Sequence, residues 1–371
     1  MGDLILNHIY RGNALYVLRE FPTDSIDCCI TSPPYWGLRS YHTEPQIWGR
    51  DKECEHQFGD TKPIMVGRND TGTLYVADGH PRVFGGQKAQ EVNQGSFCKL
   101  CGAWRGELGL EPTFQLYLDH LLLIFAEVKR VMKPEATLFV NIGDSYSGSG
   151  KGIGTDRTTC KESYTDEDIV KTKWDYSIPA KSLCGIPERF AIRMTDELGL
   201  IRRNTIIWYK RNCMPSSVKD RFTVDFEPVY FFSKTGKYYF KQQVELATSD
   251  YGVGPIDANQ KYSNNIGNQS HSGWMGGDGL NRNRRCVWDI PTKPSSEPHF
   301  AMFPDTLVEP MLDAGCPVGG VVLDPFSGMG TVAKTAIRYG MNYIGIELSE
   351  EYHGKSEKVL NELQSQTRLE L

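Results

Sequence analysis

Residues 319–331, Gly-Gly-Val-Val-Leu-Asp-Pro-Phe-Ser-Gly-Met-Gly-Thr, constrain the fold of this chain more than any other stretch. An apolar strand ends on Asp324, passes through Gly328 and Gly330, and opens a helix at Thr331. The glycines let backbone approach a ligand, and the first turn of the helix leaves N–H groups without intrahelical partners. Gly328-x-Gly330-x-x-Ala333 fits the dinucleotide fingerprint, and Glu347 stands twenty-three residues after Asp324, at the end of the next predicted strand. A carboxylate there can accept both hydroxyls of a ribose, which suits a nicotinamide dinucleotide and S-adenosylmethionine equally. A phosphate loop is excluded, because Gly152 rather than Ser or Thr follows Lys151 in the Gly/Ser-rich run that begins at Ser145.

Around this unit strand and helix signals alternate, which predicts a parallel sheet. Strands are expected at Leu4–Tyr10, Ile26–Thr31, Thr137–Ile142, Arg203–Tyr209, Pro228–Ser233, Gly320–Asp324 and Tyr343–Glu347, seven in all. The pair Arg203–Tyr209 and Pro228–Ser233 is expected to run antiparallel at a sheet edge. Leu118, Leu121, Leu122, Phe125, Val128 and Met132 recur at helical spacing until Lys133-Pro134 stops them, and further helices are expected over Pro187–Leu198, Asp305–Ala314, Thr331–Tyr339 and the C-terminus. A length of 371 residues with 39% hydrophobic content supports one large α/β domain with insertions, or two domains. No apolar run reaches the ~20 residues of a membrane span, and Met-Gly-Asp-Leu-Ile lacks the order of a secretory signal, so a cytoplasmic protein is expected. Ten scattered cysteines point to reduced thiols rather than a disulfide framework. The net charge is −5, yet Arg189–Lys241 holds eleven Lys/Arg against five Asp/Glu, a stretch able to contact phosphates or simply to face solvent.

The second constraint is Ser32-Pro-Pro-Tyr35, which follows the predicted strand Ile26–Thr31. Consecutive prolines fix an extended turn and remove two N–H donors, so carbonyls there face outward. The Ser32 hydroxyl and the Pro33 carbonyl make an acceptor pair for the two N–H donors of an aromatic amine, whose nitrogen is then placed to attack a methyl sulfonium in line. Tyr35 is expected to stack on the base and Trp36 to extend that platform. Such a base must leave its duplex, at a cost of roughly a few kcal/mol. Cys28 and Cys29 read as core residues of the strand. Turn chemistry alone allows a plain proline turn, but the carboxyl end of a strand is where α/β proteins hold ligands.

Taken together, these motifs resemble those of amino-group DNA methyltransferases. Ser32-Pro-Pro-Tyr35 is similar to their catalytic motif and Asp324-Pro-Phe-x-Gly-x-Gly-Thr331 to their S-adenosylmethionine motif, in the permuted order of the β group. Glu347 occupies the ribose position, His299-Phe-x-x-Phe303-Pro304-x-x-Leu307 is similar to the segment that contacts cofactor, and Trp208-x-Lys210 with Glu227 is similar to the late strands. The resemblance covers about 1–41 and 112–371. It implies a class I, Rossmann-like methyltransferase fold: a seven-stranded mixed sheet with one antiparallel edge strand, plus inserted loops. It implies catalytic roles for Ser32, Pro33, Pro34 and Tyr35. Cofactor contacts are implied for Asn13, Phe303, Pro304, Asp324, Pro325, Phe326, Gly328, Gly330, Thr331, Glu347 and Leu348. Residues 1–41, 112–240 and 290–371 would form the catalytic domain, 42–111 an insertion, and 241–289 a target-recognition region. Many members carry Gly-Asp where this chain has Gly12-Asn13, and Asn13 is still able to bond an adenine edge. Serine first in the tetrapeptide is similar to many cytosine-N4 enzymes, whereas adenine-N6 enzymes more often have Asp, so cytosine is favoured and adenine stays open.

Within the insertion, Cys54-x-His56 and Cys98-x-x-Cys101 supply four ligands in two pairs, as in a closed structural zinc site, with His80 as a competing ligand and plain surface thiols as the alternative. A metal there would organise a segment otherwise too polar to fold. In the recognition region Asn281-Arg-Asn-Arg-Arg285 offers forked donors for phosphate or guanine, Asn264, Asn265 and Asn268 suit adenine edges, and Trp274 or Met275 could fill the gap left by a flipped base. The partners expected are double-stranded DNA and a cognate restriction endonuclease, with the chain a monomer or homodimer. The rival readings are an RNA methyltransferase of the same chemistry, a non-catalytic nucleic-acid-binding protein on this fold and, last, a nicotinamide reductase, for which no hydride-transfer constellation is present.

Overall fold

The computed structural model describes residues 4–37, 40–41, 43–49, 54–59, 63–66, 90–93, 96–147, 178–179, 181–246, 281–292 and 303–369. In chain order the elements are β1 (His8–Arg11), α1 (Ala14–Glu20), β2 (Ile26–Thr31), β3 (Gln46–Trp48), β4 (Pro63–Val66), β5 (Gln90–Asn93), β6 (Ser96–Phe97), β7 (Trp104–Gly106) and α2 (Phe114–Val131). There follow β8 (Met132–Asn141), α3 (Ile186–Asp196), β9 (Ile201–Tyr209), β10 (Phe226–Ser233), β11 (Val244–Leu246), β12 (Asn281–Asn283) and β13 (Val287–Asp289). The last third gives α4 (Asp305–Gly315), β14 (Val321–Asp324), α5 (Thr331–Arg338), β15 (Asn342–Glu347) and α6 (Glu350–Leu369).

Eight of these strands form one sheet in the order β1-β15-β14-β2-β8-β10-β9-β13. The α/β class and the largely parallel sheet are as expected, but two details differ. First, β10 is the reversed strand, and it lies between β8 and β9 rather than at an edge. Second, β13 adds an eighth strand parallel to β9, so the antiparallel pair is covered on its outer side. Only three residues long, β13 carries too little pattern to be read locally; it is fixed by burial of Trp288 and by the Trp208 Nε1 bond to the Ile290 carbonyl at 2.7 Å. β1 starts at His8, not Leu4, because Asn7 sits in the left-handed region with φ 58° and its amide reaches Asn342 Oδ1 at 2.9 Å.

Alternation along the strands divides the core into two layers. Cys29, Leu138, Val140, Tyr230, Phe232 and Leu323 face α1, α2 and α3, while Cys28, Ile30, Phe139, Phe231 and Val322 face α4, α5 and α6. Helix α2 shows how sequence sets an element here. Thr113 caps it by accepting the Leu116 N–H at 3.2 Å, and a stripe from Phe114 to Val131 is buried. It ends because Pro134 disfavours helical backbone at Lys133, and the chain turns straight into β8. Each large side chain of that stripe contributes about 1.5–3 kcal/mol on full burial. Strands β2 and β14, which carry the two motifs, are hydrogen-bonded neighbours with Val322 opposite Cys28 and Leu323 opposite Cys29.

Candidate active site

Because β2 and β14 are parallel neighbours, their carboxyl ends deliver Ser32-Pro-Pro-Tyr35 and the Asp324–Thr331 turn to one place. Both line a single cavity of about 190 Å³. Of the residues expected to contact cofactor, Asn13, Phe303, Asp324, Pro325, Phe326, Gly328, Thr331, Glu347 and Leu348 are on its wall. Pro304 and Gly330 are not. Pro304 is buried as the residue before α4, and Gly330, with φ 74°, turns the chain into α5 beneath Leu360, Ser356 and Ile9 of its surroundings. His299 lies outside the described residues, as do Lys151 and Gly152.

On the cofactor side Glu347 accepts the Gly328 N–H at 2.8 Å on one oxygen and the Ser349 N–H at 2.7 Å on the other. Two of its lone-pair sites remain for hydroxyls of a ligand. Burial raises its carboxyl above the usual range, against those backbone N–H bonds. Asn13, on the cavity wall, is also a helix cap: its Oδ1 caps α1 by accepting the Leu15 N–H at 2.9 Å, and its amide lies 3.4 Å from Gln46 Oε1. Asp324 is buried, and takes bonds from the Thr31 hydroxyl at 2.6 Å and the Phe326 N–H at 3.1 Å. Burial nonetheless pushes its carboxyl up to about 7. A wall with a carboxylate for hydroxyls and an aromatic ring at Phe326 suits a nucleoside-type ligand.

Asp324 makes a pH prediction. A carboxyl whose folded value exceeds its unfolded value costs stability once ionised; both states are protonated below about pH 4, the penalty grows between about 4 and 7, and it is constant above. Asp324→Asn keeps an oxygen for Thr31 and Phe326 but carries no charge. It should therefore raise the stability of the ligand-free protein on the order of 2 kcal/mol at pH 8, with the gain vanishing toward pH 4. Denaturant unfolding at both pH values is the measurement, and a gain equal at the two would show that charge is not the cause.

On the other side of the cavity the Pro34 carbonyl is taken, accepting the Tyr117 hydroxyl at 2.7 Å. The Pro33 carbonyl receives no hydrogen bond from any described residue, and the Ser32 hydroxyl reaches only the Tyr35 oxygen, at 3.4 Å. The acceptor pair read from the sequence is therefore the one left open. Tyr35 is set by long-range contacts. Its hydroxyl lies 2.9 Å from Glu227 Oε2 and 2.9 Å from Asn141 Oδ1, with one proton for either, while Lys210 pairs with the other oxygen of Glu227. Burial first, and the Glu227 charge second, hold the phenol well above its ordinary value, so it stays a donor. The ring lies over Gly143, where an added Cβ would be 2.6 Å from it. Trp36 is a correction: it extends no platform but is buried, its Nε1 donating to the Glu111 carbonyl at 2.9 Å and its ring edge-on to Phe114. It packs inward because the turn at Gly37 is tied to Gly109.

Several groups at the site escaped sequence reasoning. Tyr41, Thr43, Trp48 and Leu108, all from the segment that looked like an insertion or its border, line the cavity. Trp48 and Trp104 both stack with His120, at 5.1 and 5.6 Å, and belong to the core under α2. His120 Nδ1 is 2.9 Å from Glu111 Oε1, and Glu111 Oε2 accepts the Gly109 N–H at 2.7 Å, so this buried pair supports the loop behind the Pro34 turn. Burial raises the Glu111 carboxyl, opposed by His120. Nothing local in the sequence signals such a stack.

Farther out, Cys54, His56, Cys98 and Cys101 come together, with their ligand atoms all within 4.8 Å of one another. Cys54 Sγ and Cys98 Sγ are 3.9 Å apart, and Cys101 Sγ is 3.3 Å from His56 Nδ1. A tetrahedron with metal–sulfur bonds of ~2.3 Å has edges of about 3.8 Å, so the donors fit a closed site. His80 lies outside the described residues, as do Asn264, Asn265, Asn268, Trp274 and Met275. Of the arginines expected to contact nucleic acid, Arg282 and Arg285 are held by Glu245 at 2.9 and 2.6 Å, and Arg284 lies over the Trp288 ring. Two of the three forks are thus engaged within the protein.

A family model described as DNA methylase, N6_N4_Mtase, matches residues 26–358. The type II methyltransferase M.XycI of Xanthomonas campestris pv. cyanopsidis is 32% identical across 93% of this chain and 84% of its own length. M.SmaI of Serratia marcescens, also a type II methyltransferase, is 28% identical across 93% of this chain and 87% of its own. Among solved structures, the PvuII DNA methyltransferase (cytosine-N4-specific) superposes with a TM-score of 0.51 at 17% identity, over 96% of this chain and 90% of that one, a likeness of fold.

Proposed function

Since this chain belongs to the N6/N4 family of DNA methylases, S-adenosylmethionine-dependent methyltransferases of DNA amines, we propose that its acceptor is the N4 amine of cytosine in double-stranded DNA. The observation that carries the amine chemistry is the open acceptor pair: Ser32 Oγ and the Pro33 carbonyl line the cavity that Asp324, Phe326 and Glu347 also line. The two N–H groups of an extruded base donate to these acceptors, and Tyr35, held by Glu227 and Asn141, covers the face of the ring. Pro34 contributes through its backbone, anchored by Tyr117. S-adenosylmethionine, when bound, supplies an electrophilic methyl group. Glu347 would hold its ribose, Asn13, Phe303, Phe326 and Leu348 its base and surroundings, and Asp324, Pro325, Gly328, Gly330 and Thr331 the turn that receives it, while Pro304, buried at the start of α4, would act only through Phe303 beside it. The preference for cytosine over adenine rests on Ser32 as the first residue of the tetrapeptide. Long-read modification mapping of DNA from cells expressing the protein is the test. N4-methylcytosine at a fixed sequence is expected, N6-methyladenine would overturn the choice of base, and unmodified DNA would overturn the substrate.

We group 1–41, 112–240 and 290–371 as the catalytic domain and 241–289 as the region that reads the DNA site. A restriction endonuclease of the same specificity is the partner that a type II methyltransferase implies, and the chain acts as a monomer or homodimer. Among the described residues no helix is long and apolar enough to cross a membrane, and we place the protein in the cytoplasm with its DNA. For residues 42–111 we propose one structural zinc held by Cys54, His56, Cys98 and Cys101, supported by the tetrahedral fit of the donors. Elemental analysis should find one zinc per chain, and Cys101→Ser should lose most of it and lower the melting temperature. A stoichiometric protein without zinc, or a variant that melts unchanged, would count against the site.

A further inference from the structure

The connection between β9 and β10 leaves large apolar side chains in solvent beside the active site. Phe222 is 96% exposed and Met214 83% exposed, with Val218 and Val224 also outward. The connection is nevertheless held at several points. Lys210 N–H donates to the Asp225 carbonyl at 2.7 Å, Asn212 exchanges hydrogen bonds with Thr292 at 2.8 Å, Arg211 pairs with Asp289, Asp220 pairs with Lys181 at 2.7 Å, and the Arg221 guanidinium lies 3.4 Å from the centre of the Tyr146 ring. Order that leaves a phenyl ring and a thioether in water implies a partner for them. The place of the loop narrows what that partner is. At its ends Glu227 holds the Tyr35 hydroxyl and Lys210 pairs with the other oxygen of Glu227, so the apolar tip rises from the strand ends directly behind Tyr35. Lys210, Arg211, Lys219 and Arg221 stand in it against Asp220 and Asp225, and among the described residues Lys219 and Arg221 form no ion pair.

We propose that this loop, residues 211–225, enters the DNA duplex at the target: Phe222 and Met214 take the place in the base stack that the extruded base vacates, and Lys219 meets the adjacent phosphates. Apolar wedges between base steps with cations on the backbone are a recurring way to keep a helix open, and here the wedge would repay part of the unstacking cost at the site where the base must swing toward Tyr35. The inference rests on the reading of duplex DNA as substrate, and the test separates the two.

The test measures methyl transfer from tritiated S-adenosylmethionine to plasmid DNA isolated from a methylation-deficient host, with wild type, Phe222→Ala, Met214→Ala, their double variant and Phe222→Leu. The double variant should lose at least about tenfold in kcat/KM, each single variant less, and Phe222→Leu should retain most activity because bulk rather than aromaticity fills the gap. S-adenosylmethionine affinity by calorimetry and the melting temperature should stay close to wild type, which a merely structural role would not allow. A double variant within twofold of wild type, or Phe222→Leu as poor as Phe222→Ala, overturns the proposal. So does a change in solution mass of the double variant without loss of transfer, which would make this face an interface between copies of the chain. Should the wild type transfer no methyl group to any plasmid, the reading of duplex DNA as substrate fails, and the wedge with it.

Discussion

Tyr35→Ala is expected to lower kcat for methyl transfer by about 10³-fold while the affinity for S-adenosylmethionine stays within about twofold. In the proposed function the residue has two roles that alanine would remove together. Its ring is wedged over Gly143, where we propose that the base stacks, and its hydroxyl is fixed between Glu227 and Asn141. Without the ring, Ser32 and Pro33 would still offer acceptors, but the base would be free to rotate about them, and misplacement on the order of 1 Å costs about 10²-fold by itself. Tyr35→Phe separates the parts. It keeps the ring and leaves Glu227 paired with Lys210, so a loss of only about tenfold is expected, in line with one hydrogen bond to a charged group. Steady-state kinetics on DNA, set beside calorimetry with cofactor alone, reads both. Equal losses in transfer and in cofactor affinity would mean that Tyr35 supports the fold of the cavity rather than the base.

Glu347→Ala should have the converse signature: cofactor affinity weaker by about 10²-fold, with kcat at saturating cofactor changed little. The carboxylate ties the Gly328 and Ser349 N–H groups from opposite sides, so its loss removes an acceptor for ligand hydroxyls and also loosens the turn that shapes the seat. Glu347→Gln leaves one oxygen to accept and should fall between. Calorimetric titration with S-adenosylmethionine is the direct measurement, and an unchanged dissociation constant would remove Glu347 from the site.

What could be read from the chain, and what could not, divides by range. Val321-Val-Leu-Asp324 followed by glycines is a local signal, as is the run of α2 that Pro134 ends, and both appear in the structure where expected. Ser32-Pro-Pro-Tyr35 was legible for the same reason, since proline chemistry acts on the nearest residues. The partners that give Tyr35 its position come from β8 and β10, more than a hundred residues away, and no spacing reveals them. Trp36 misled because an aromatic beside a motif says nothing of which way it turns; the inward turn follows from Gly37 and Glu111. Asn13 is expected at the ligand and lies on the cavity wall, and its role as the cap of α1 is one that sequence reasoning missed. The antiparallel pairing of β9 with β10 follows from the sequence, but their placement beside β8 and under β13 does not, since strand order is decided by crossover connections rather than by the strands themselves.

Among the described residues strand β1 has β15 as its sole neighbour in the sheet, and β2 meets β14 side by side. About 330 residues separate Arg11 from Asn342, which a ribosome adds in roughly 15–65 s. For that interval the Ser32–Tyr35 turn exists on a nascent chain that lacks the Asp324–Thr331 turn and Glu347, and β1 waits with an unpaired edge. A fragment cut short of the last strands would lack the Asp324–Thr331 turn and Glu347 and would carry an open strand for other chains to find.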